Sequence, residues 1–191
     1  MARPRTVYYT ASSLDGFLAD PENSLDWLFE VDTGSTPDDD PFGRFFAGIG
    51  AMAMGATTYL WVLDHEDLLA HPERWTASYG TTPCWVFTHR DLPRIPGADV
   101  RLVHGDVRAV HEQMLEAAGE KDVWLVGGGG LAGQFADAGL LDELQVQVAP
   151  VTLGAGAPLL PRRLLARDLT LTAVGRQGQL ALLTYTVRRE R

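Results

Sequence analysis

Apolar positions along the chain fall into short runs and a few stretches of helical periodicity, separated by turns rich in Gly, Pro and Asp. The clearest periodicity predicts a helix over 107–118. Its apolar face carries Val110, Met114, Leu115 and Ala118. A second helix is predicted over 41–49, with Asp40 as its N-cap and Pro41 in its first position. A shorter helix is predicted over 131–138.

The remaining apolar runs predict β-strands, because they are short and rich in β-branched and aromatic residues. These strands are expected over 6–11, 17–19, 51–54, 83–88, 100–103, 122–126, 143–149, 169–174 and 180–187. The last two predict a terminal hairpin. Strands and helices alternate first, and strands follow at the end. This order predicts one α/β domain over 1–191, with a mostly parallel sheet, flanking helices and an antiparallel C-terminal edge.

Four consecutive glycines interrupt the chain between a predicted strand and a predicted helix. They are Gly127, Gly128, Gly129 and Gly130, followed by Leu131. Glycine lets the main chain approach a ligand closely, and a helix start presents free N–H groups with a partial positive charge. We therefore expect a phosphate-binding turn. The alternative is a tight turn that needs small residues only for packing, although fewer glycines would satisfy it.

Three other turns follow predicted strands and carry candidate polar groups. Gly55 stands in the turn that opens another helix, where Thr57 or Thr58 can cap the helix or offer a hydroxyl to a phosphate. A Thr-His-Arg sequence ends a later strand, and Arg90 there can pair with a phosphate or remain a solvated surface charge. Asp15 follows the first strand, where it either orients a substrate hydroxyl or only shapes an Asp-Gly turn.

The composition limits the partners and the compartment. The 25 Asp and Glu against 16 Lys and Arg give a formal net charge of −9, which makes nucleic acid and anionic membranes poor partners. No apolar stretch approaches the roughly 20 residues of a membrane span, and the N-terminal segment is too short for a signal peptide. The histidines lack metal-ligand spacing, so no metal site is expected. The single cysteine, Cys84, is expected to be an inert thiol in the core. One cysteine cannot form an internal disulfide, which favours the reducing cytoplasm.

Five short segments also carry a resemblance to a known family. They are 12–19 (SSLDGFLA), 54–59 (MGATTY), 126–131 (VGGGGL), 140–144 (LLDEL) and 150–161 (PVTLGAGAPLLP). In this order they resemble the dihydrofolate reductase-like superfamily. The most similar branch is the C-terminal reductase domain of the riboflavin-biosynthesis deaminase–reductase. The combination spans nearly the whole chain and is more specific than any single segment.

The resemblance implies a twisted, mostly parallel sheet and an NADPH-dependent reductase that passes hydride to a small heterocyclic or carbonyl substrate. By position, the implied cofactor-binding residues are Thr10, Ala11, Leu18, Gly55, Thr58, Thr88, His89, Arg90, Gly127, Gly128, Gly129, Gly130 and Leu131. The first three would lie at the nicotinamide and the segment 88–90 at the adenosine 2′-phosphate. The others would meet the diphosphate from two helix starts.

Two positions depart from the folate enzymes. There a basic phosphate ligand follows the Met-Gly pair, whereas this chain has Ala56, so the preference for NADPH over NADH rests on Arg90. The folate enzymes also carry a catalytic carboxylate before that turn. Here Asp39 and Asp40 lie near its position, in an acidic run typical of a solvated helix cap. Asp15 is the alternative catalytic residue, and it favours the riboflavin branch over a true dihydrofolate reductase.

Other interpretations stay open. A nucleotide-binding or regulatory module would bind NADPH without turnover, and a structural homodimer subunit would use the glycines only for packing. Relatives are often homodimers, and the apolar C-terminal strands fit a dimer edge. The acceptor pocket is expected from loops, chiefly 20–42 and 60–82, with Trp27 and Trp61 as candidate walls or as simple core residues. The pattern does not identify the substrate.

Overall fold

The computed structural model describes residues 3–34 and 40–188, and within these ranges the chain forms ten strands and six helices. The strands are β1 (Thr6–Ser12), β2 (Phe17–Ala19), β3 (Ile49–Gly55), β4 (Cys84–Phe87), β5 (Val100–Val103), β6 (Asp122–Gly127), β7 (Glu143–Val148), β8 (Ala157–Pro158), β9 (Leu169–Gln177) and β10 (Leu180–Val187). The helices are α1 (Asp26–Phe29), α2 (Pro41–Phe46), α3 (Ala56–His65), α4 (Glu73–Tyr79), α5 (Val107–Ala118) and α6 (Gly129–Asp137).

Eight of the strands form one sheet in the order β5-β4-β3-β6-β1-β7-β10-β9. The pairs from β5 to β7 are parallel, and β10 pairs antiparallel with both β7 and β9. The predicted parallel sheet with an antiparallel C-terminal edge is therefore confirmed. The strands β2 and β8 pair with each other in a separate ribbon. This ribbon joins the chain after β1 to the segment 150–161, which we call the late loop.

Apolar side chains on the two faces of the sheet form two cores. In β3 the alternation is direct, because Ala51 and Ala53 belong to one core whereas Met52 and Met54 belong to the other. The first core is covered by α5 and α6, and the second by α2, α3 and α4. This three-layer arrangement fixes the carboxyl ends of the central parallel strands, where ligands bind in open α/β sheets.

The structure corrects two helix predictions. The helix expected over 41–49 ends at Phe46, since Ile49 is buried as the first residue of β3. The segment 60–82, expected as a loop, is mostly helical because α3 extends to His65 and α4 follows. Its Trp75 is 1% exposed, so tertiary packing stabilises a helix that the sequence pattern does not show.

The acidic run before α2 is described only in part. Asp40 is the N-cap of α2, as predicted, and its carboxylate accepts a hydrogen bond of 2.7 Å from the Gly43 N–H. Asp39 lies outside the described residues. Across the described chain, no helix is both long enough and apolar enough to cross a membrane.

Candidate active site

A cavity of about 430 Å³ lies at the carboxyl ends of the central strands β1 and β6. Eight of the residues expected at a cofactor line it: Thr10, Ala11, Leu18, Thr58, Gly127, Gly128, Gly129 and Gly130. Two others border the same region without lining the cavity. Gly55 is the N-cap of α3, and Leu131 is buried in the core beneath α6. The structure thus brings most of the predicted residues together.

Two helix starts meet at this cavity. The strands β3 and β6 are parallel neighbours, and the helices α3 and α6 begin directly after them. Their N-caps are Gly55 and Gly128, and no side chain of the described residues caps either helix. The expectation that Thr57 or Thr58 caps α3 is therefore wrong, since both lie inside its first turn. Uncapped helix starts leave N–H groups free to bind an anion.

The four glycines of the turn divide into packing and open positions. A β-carbon on Gly129 would collide with the carbonyl oxygens of Pro158 and Leu159. On Gly128 it would have only Thr58 Oγ1 near it among the described atoms, at 4.0 Å, and on Gly130 it would meet none of them within 4 Å. The peptide bond between Gly127 and Gly128 is cis. Gly128 and Gly130 therefore border free space in which a ligand fits.

The late loop forms the opposite wall of the cavity. Ala157 and Pro158 of β8 line it, together with Pro161. The hydroxyl of Tyr8 donates a hydrogen bond of 2.9 Å to the carbonyl oxygen of Leu159, and the Leu159 N–H donates to Gly16. This loop is therefore fixed to β1 and to the turn that follows it, so the wall has a defined position.

An apolar wall comes from α3 and the segment before it. Leu25 and Leu28 line the cavity, as does Trp61. The ring of Trp61 stacks on His65 with centroids 4.4 Å apart, and His65 stacks on Phe29 at 5.0 Å. This stack joins α1 to α3 beside the cavity.

The sequence predicts Trp27 and Trp61 either as walls of the acceptor pocket or as simple core residues. Trp61 is a wall residue, whereas Trp27 packs in a small core with Ala149 and Leu180. The leucines at 25 and 28 were missed as individual wall residues. Their segment carries no regular apolar pattern, and Leu28 packs against the small core that contains Ala149 and Leu180.

A second cavity, of about 330 Å³, lies at the end of β4. Thr88, His89 and Arg90 line it, together with Arg94 and His104, which the sequence interpretation did not single out. The hydroxyl of Thr88 accepts a hydrogen bond of 2.9 Å from the Arg90 N–H and so shapes the turn. The carboxylate of Asp91 also lines this cavity, but Arg90 and Arg94 together outweigh its charge. Since β4 pairs with β3, the second cavity lies beside the start of α3 at the same edge of the sheet.

Asp15 is not among the described residues that line either cavity. Its carboxylate accepts hydrogen bonds from the Ser13 hydroxyl (2.6 Å) and from the N–H groups of Leu153 (3.1 Å) and Gly154 (2.7 Å). The Ser13 hydroxyl and then the Gly154 N–H hold the pKa of Asp15 below its usual value. An ionised carboxylate bound to this turn is a poor proton donor, so its contacts support the turn-shaping alternative.

Two titratable side chains outside the cavities are buried in the interior of the protein. Cys84 is fully buried, and burial raises the pKa of its thiol, as expected of an inert core cysteine. His111 is also buried, and its Nε2 lies 2.7 Å from the Thr6 hydroxyl. Neither contributes to the candidate site.

The fold is dihydrofolate reductase-like. The family model of the RibD C-terminal domain matches residues 4–180, and the chain therefore belongs to that family. It is similar to the uncharacterized protein YwjB of Bacillus subtilis, with 28% identity over 181 residues that cover 95% of this chain and 97% of YwjB.

Solved structures agree with this placement. A protein of Shewanella sp. PV-4 assigned to riboflavin biosynthesis superimposes with a TM-score of 0.76 at 25% identity, over 97% of this chain and 99% of that one. A diaminohydroxyphosphoribosylaminopyrimidine deaminase/5-amino-6-(5-phosphoribosylamino)uracil reductase of Thermotoga maritima shares the fold, with a TM-score of 0.65 at 16% identity. That match covers 97% of this chain and 57% of the Thermotoga chain.

Proposed function

We propose that the chain is an NADPH-dependent reductase of the riboflavin-biosynthesis reductase type, which transfers hydride to a small heterocyclic or carbonyl substrate. One observation carries the proposal: the starts of α3 and α6, both uncapped, meet in one cavity beside glycines that leave open space. Free N–H groups from two helices suit the two phosphates of a dinucleotide. Membership of the RibD C-terminal domain family supports a reductase.

The other residues predicted at the cofactor would contact its nicotinamide, its diphosphate and its 2′-phosphate. The main chain of Thr10 and Ala11 lies at the end of β1, where it would hold the nicotinamide amide, and Leu18 would pack against the ring. Thr58 would donate its hydroxyl to the diphosphate. The second cavity would bind the adenosine 2′-phosphate, since Arg90 and Arg94 supply positive charge that exceeds the charge of Asp91 and that Ala56 cannot supply.

Catalysis would depend mainly on positioning. The bound cofactor supplies the hydride, and the cavity walls hold the acceptor against it while excluding water. Such near-attack geometry can lower a barrier by roughly 7–11 kcal/mol. No ionisable side chain occurs among the described residues that line the cavity, so the proton that completes the reduction comes from water.

Thermal unfolding tests the proposal. NADPH at about a hundredfold excess over its Kd should stabilise the protein by about 2.7 kcal/mol, and NADH should stabilise it less at the same concentration. An unchanged melting temperature with both cofactors would contradict the proposal and favour the packing interpretation. Loss of NADPH absorbance with a panel of carbonyl and pyrimidine compounds then separates an enzyme from a binding module.

A non-catalytic nucleotide-binding module is the second candidate. The lack of any ionisable side chain on the described walls of the cavity favours it, because a module needs no proton donor. A true dihydrofolate reductase has less support, since Asp40 is used as the cap of α2.

The assembly and the compartment are part of the proposal. We treat residues 1–191 as one cytoplasmic domain, consistent with the buried thiol of Cys84. Two copies would associate through the edge strand β9, where Leu171 is 50% exposed and Val174 is 68% exposed. These residues pair with Tyr185 and Leu183 of β10, which extend the apolar strip across the sheet.

A further inference from the structure

The walls of the main cavity are uncharged. Among the described residues that line it, the polar side chains are those of Thr10, Asn23, Thr57 and Thr58. The other lining residues are apolar or glycine. A buried anion needs a cation or several hydrogen-bond donors, and without them its transfer from water is strongly unfavourable.

The chain around the acceptor side is acidic. Residues 6–43 contain nine Asp and Glu and no Lys, Arg or His. This stretch supplies Asn23, Leu25 and Leu28 to the cavity wall. Asp20 and Asp26 directly adjoin the lining residues Ala19 and Leu25 in the sequence, and this excess of carboxylates disfavours an anionic ligand.

The groups near the cavity that could bind an anion have other partners. The helix starts at Gly55 and Gly128 hold the diphosphate in the proposed function, and this step rests on that proposal. Arg162 lies beside α6, but its Nε donates to the Asp137 carboxylate at 2.7 Å and its side chain packs against Gly133. Among the described residues that line the cavity, no cationic side chain is left to bind a phosphate.

We propose that the acceptor is an uncharged, planar compound, and that phosphorylated pyrimidines such as the substrate named for the Thermotoga protein are excluded. The apolar wall of Leu25, Leu28 and Trp61 fits a flat, largely apolar ring. The side-chain amide of Asn23 and the hydroxyl of Thr57 line the same cavity, and either can donate a hydrogen bond to one carbonyl oxygen of the acceptor. The described walls offer a cationic acceptor no carboxylate partner, so a neutral acceptor fits them better.

The reaction on such an acceptor balances with NADPH as the reductant. Hydride is transferred to the carbonyl carbon, the carbon–oxygen π bond breaks, and the alkoxide oxygen takes a proton from water. The products are NADP⁺, the alcohol and the hydroxide left by the water. The acceptor gains two electrons and needs no other co-reactant.

Two matched pairs of probes test whether the protein binds a neutral acceptor more tightly than an anionic one. The first pair is isatin and isatin-5-sulfonate, and the second is the Thermotoga substrate with and without its phosphate. Binding is measured by calorimetry with NADP⁺ present, and turnover is measured by NADPH absorbance. We expect the neutral member of each pair to bind at least about tenfold more tightly, because the anion loses its hydration without gaining a partner.

A charge introduced into the wall should invert this preference. Leu25 lines the cavity but belongs to none of the buried clusters, so Leu25→Arg is expected to fold. With NADP⁺ bound, it should weaken isatin binding and strengthen sulfonate binding, each by about tenfold relative to the wild type. Leu69→Arg is the control, because Leu69 is exposed and lies outside the cavity.

The outcomes separate the two proposals. If NADPH does not bind to the wild-type protein, the proposed function fails. If NADPH binds and either anionic probe binds as tightly as its neutral partner, or no neutral probe binds, the acceptor class is overturned while the cofactor site stands. Tighter binding of both neutral probes, with the inversion in Leu25→Arg, supports it.

Discussion

Gly129, the first residue of α6, lies so close to the carbonyl oxygen of Pro158 that a β-carbon on it would collide with that atom. The next residue differs, because a β-carbon on Gly130 would meet no described atom within 4 Å. Adjacent glycines in one turn therefore have different tasks. Gly129 permits the late loop to pack on α6, whereas Gly130 leaves open the space that a ligand would occupy.

This difference predicts opposite results for two alanine variants. Gly129→Ala should lower the free energy of unfolding by roughly 1–3 kcal/mol, since main-chain atoms must move to accept the new methyl group. Gly130→Ala should keep or slightly raise the free energy of unfolding, because alanine favours a helix over glycine by about 1 kcal/mol. Urea unfolding of both variants measures the difference. Equal losses would mean that the loop does not lie on α6 as described.

The Asp15 carboxylate should stabilise the protein in a pH-dependent way. Its hydrogen bonds to Ser13 and Gly154 lower the pKa in the folded state, so the stabilisation is present above the unfolded-state pKa of about 3.9. It is lost as the pH falls through the lower folded-state value. Asp15→Asn should therefore be less stable than the wild type at pH 7, and the gap should narrow below about pH 4.

Asp64→Asn is the control for this measurement, since Asp64 is an exposed residue of α3. Stability is followed by urea unfolding across the pH range, and the rate of hydride transfer is measured at pH 7. We expect little change in the rate, because Asp15 does not line the cavity. A large loss of rate without a loss of stability would restore Asp15 as a catalytic residue.

Much of the fold could be predicted from local patterns. The helix α5 covers the predicted range 107–118, since its apolar face repeats at helical spacing. The helix α4 could not be predicted, because its short sequence gains stability from the burial of Trp75 and Tyr79 against the sheet. Local propensity gives no signal for such tertiary packing.

The candidate site shows the same division. The glycine turn was predictable, because four glycines between a strand and a helix have a direct physical reason. The apolar wall at Leu25 and Leu28 was not, since Leu28 packs against Ala149 and Leu180, which lie far along the chain. That contact joins distant parts of the chain and leaves no periodic pattern. The contacts of Asp15 could not be predicted for the same reason, because its partner Gly154 lies far along the sequence.

Arg90 should set the preference between the two nicotinamide cofactors. Arg90→Ala should raise the Kd of NADPH by at least about tenfold, as expected for the loss of a charged hydrogen bond, and should leave the Kd of NADH almost unchanged. Arg108→Ala on the exposed side of α5 is the control. Calorimetry with both cofactors decides the matter. An equal loss for NADPH and NADH would show that the second cavity does not hold the 2′-phosphate.

The edge strand β9 should determine the assembly state. A negative charge at Leu171 would be buried in the proposed dimer contact, so Leu171→Glu should sediment as a monomer where the wild type sediments as a dimer. Leu69→Glu changes an equally exposed leucine away from β9 and should remain a dimer. A monomeric wild type, or a dimeric Leu171→Glu, would contradict the proposed edge.

The most direct test of the whole account is the affinity of Gly128→Asp for NADPH, measured by calorimetry beside the wild type and Ala77→Asp. Ala77 is exposed on α4 outside the cavity, so its variant adds the same charge away from the site. If the N–H groups at the starts of α3 and α6 bind the diphosphate, Gly128→Asp should fold and lose NADPH binding, whereas Ala77→Asp should bind normally. A folded Gly128→Asp that binds NADPH with the wild-type Kd would place the cofactor elsewhere and contradict the account.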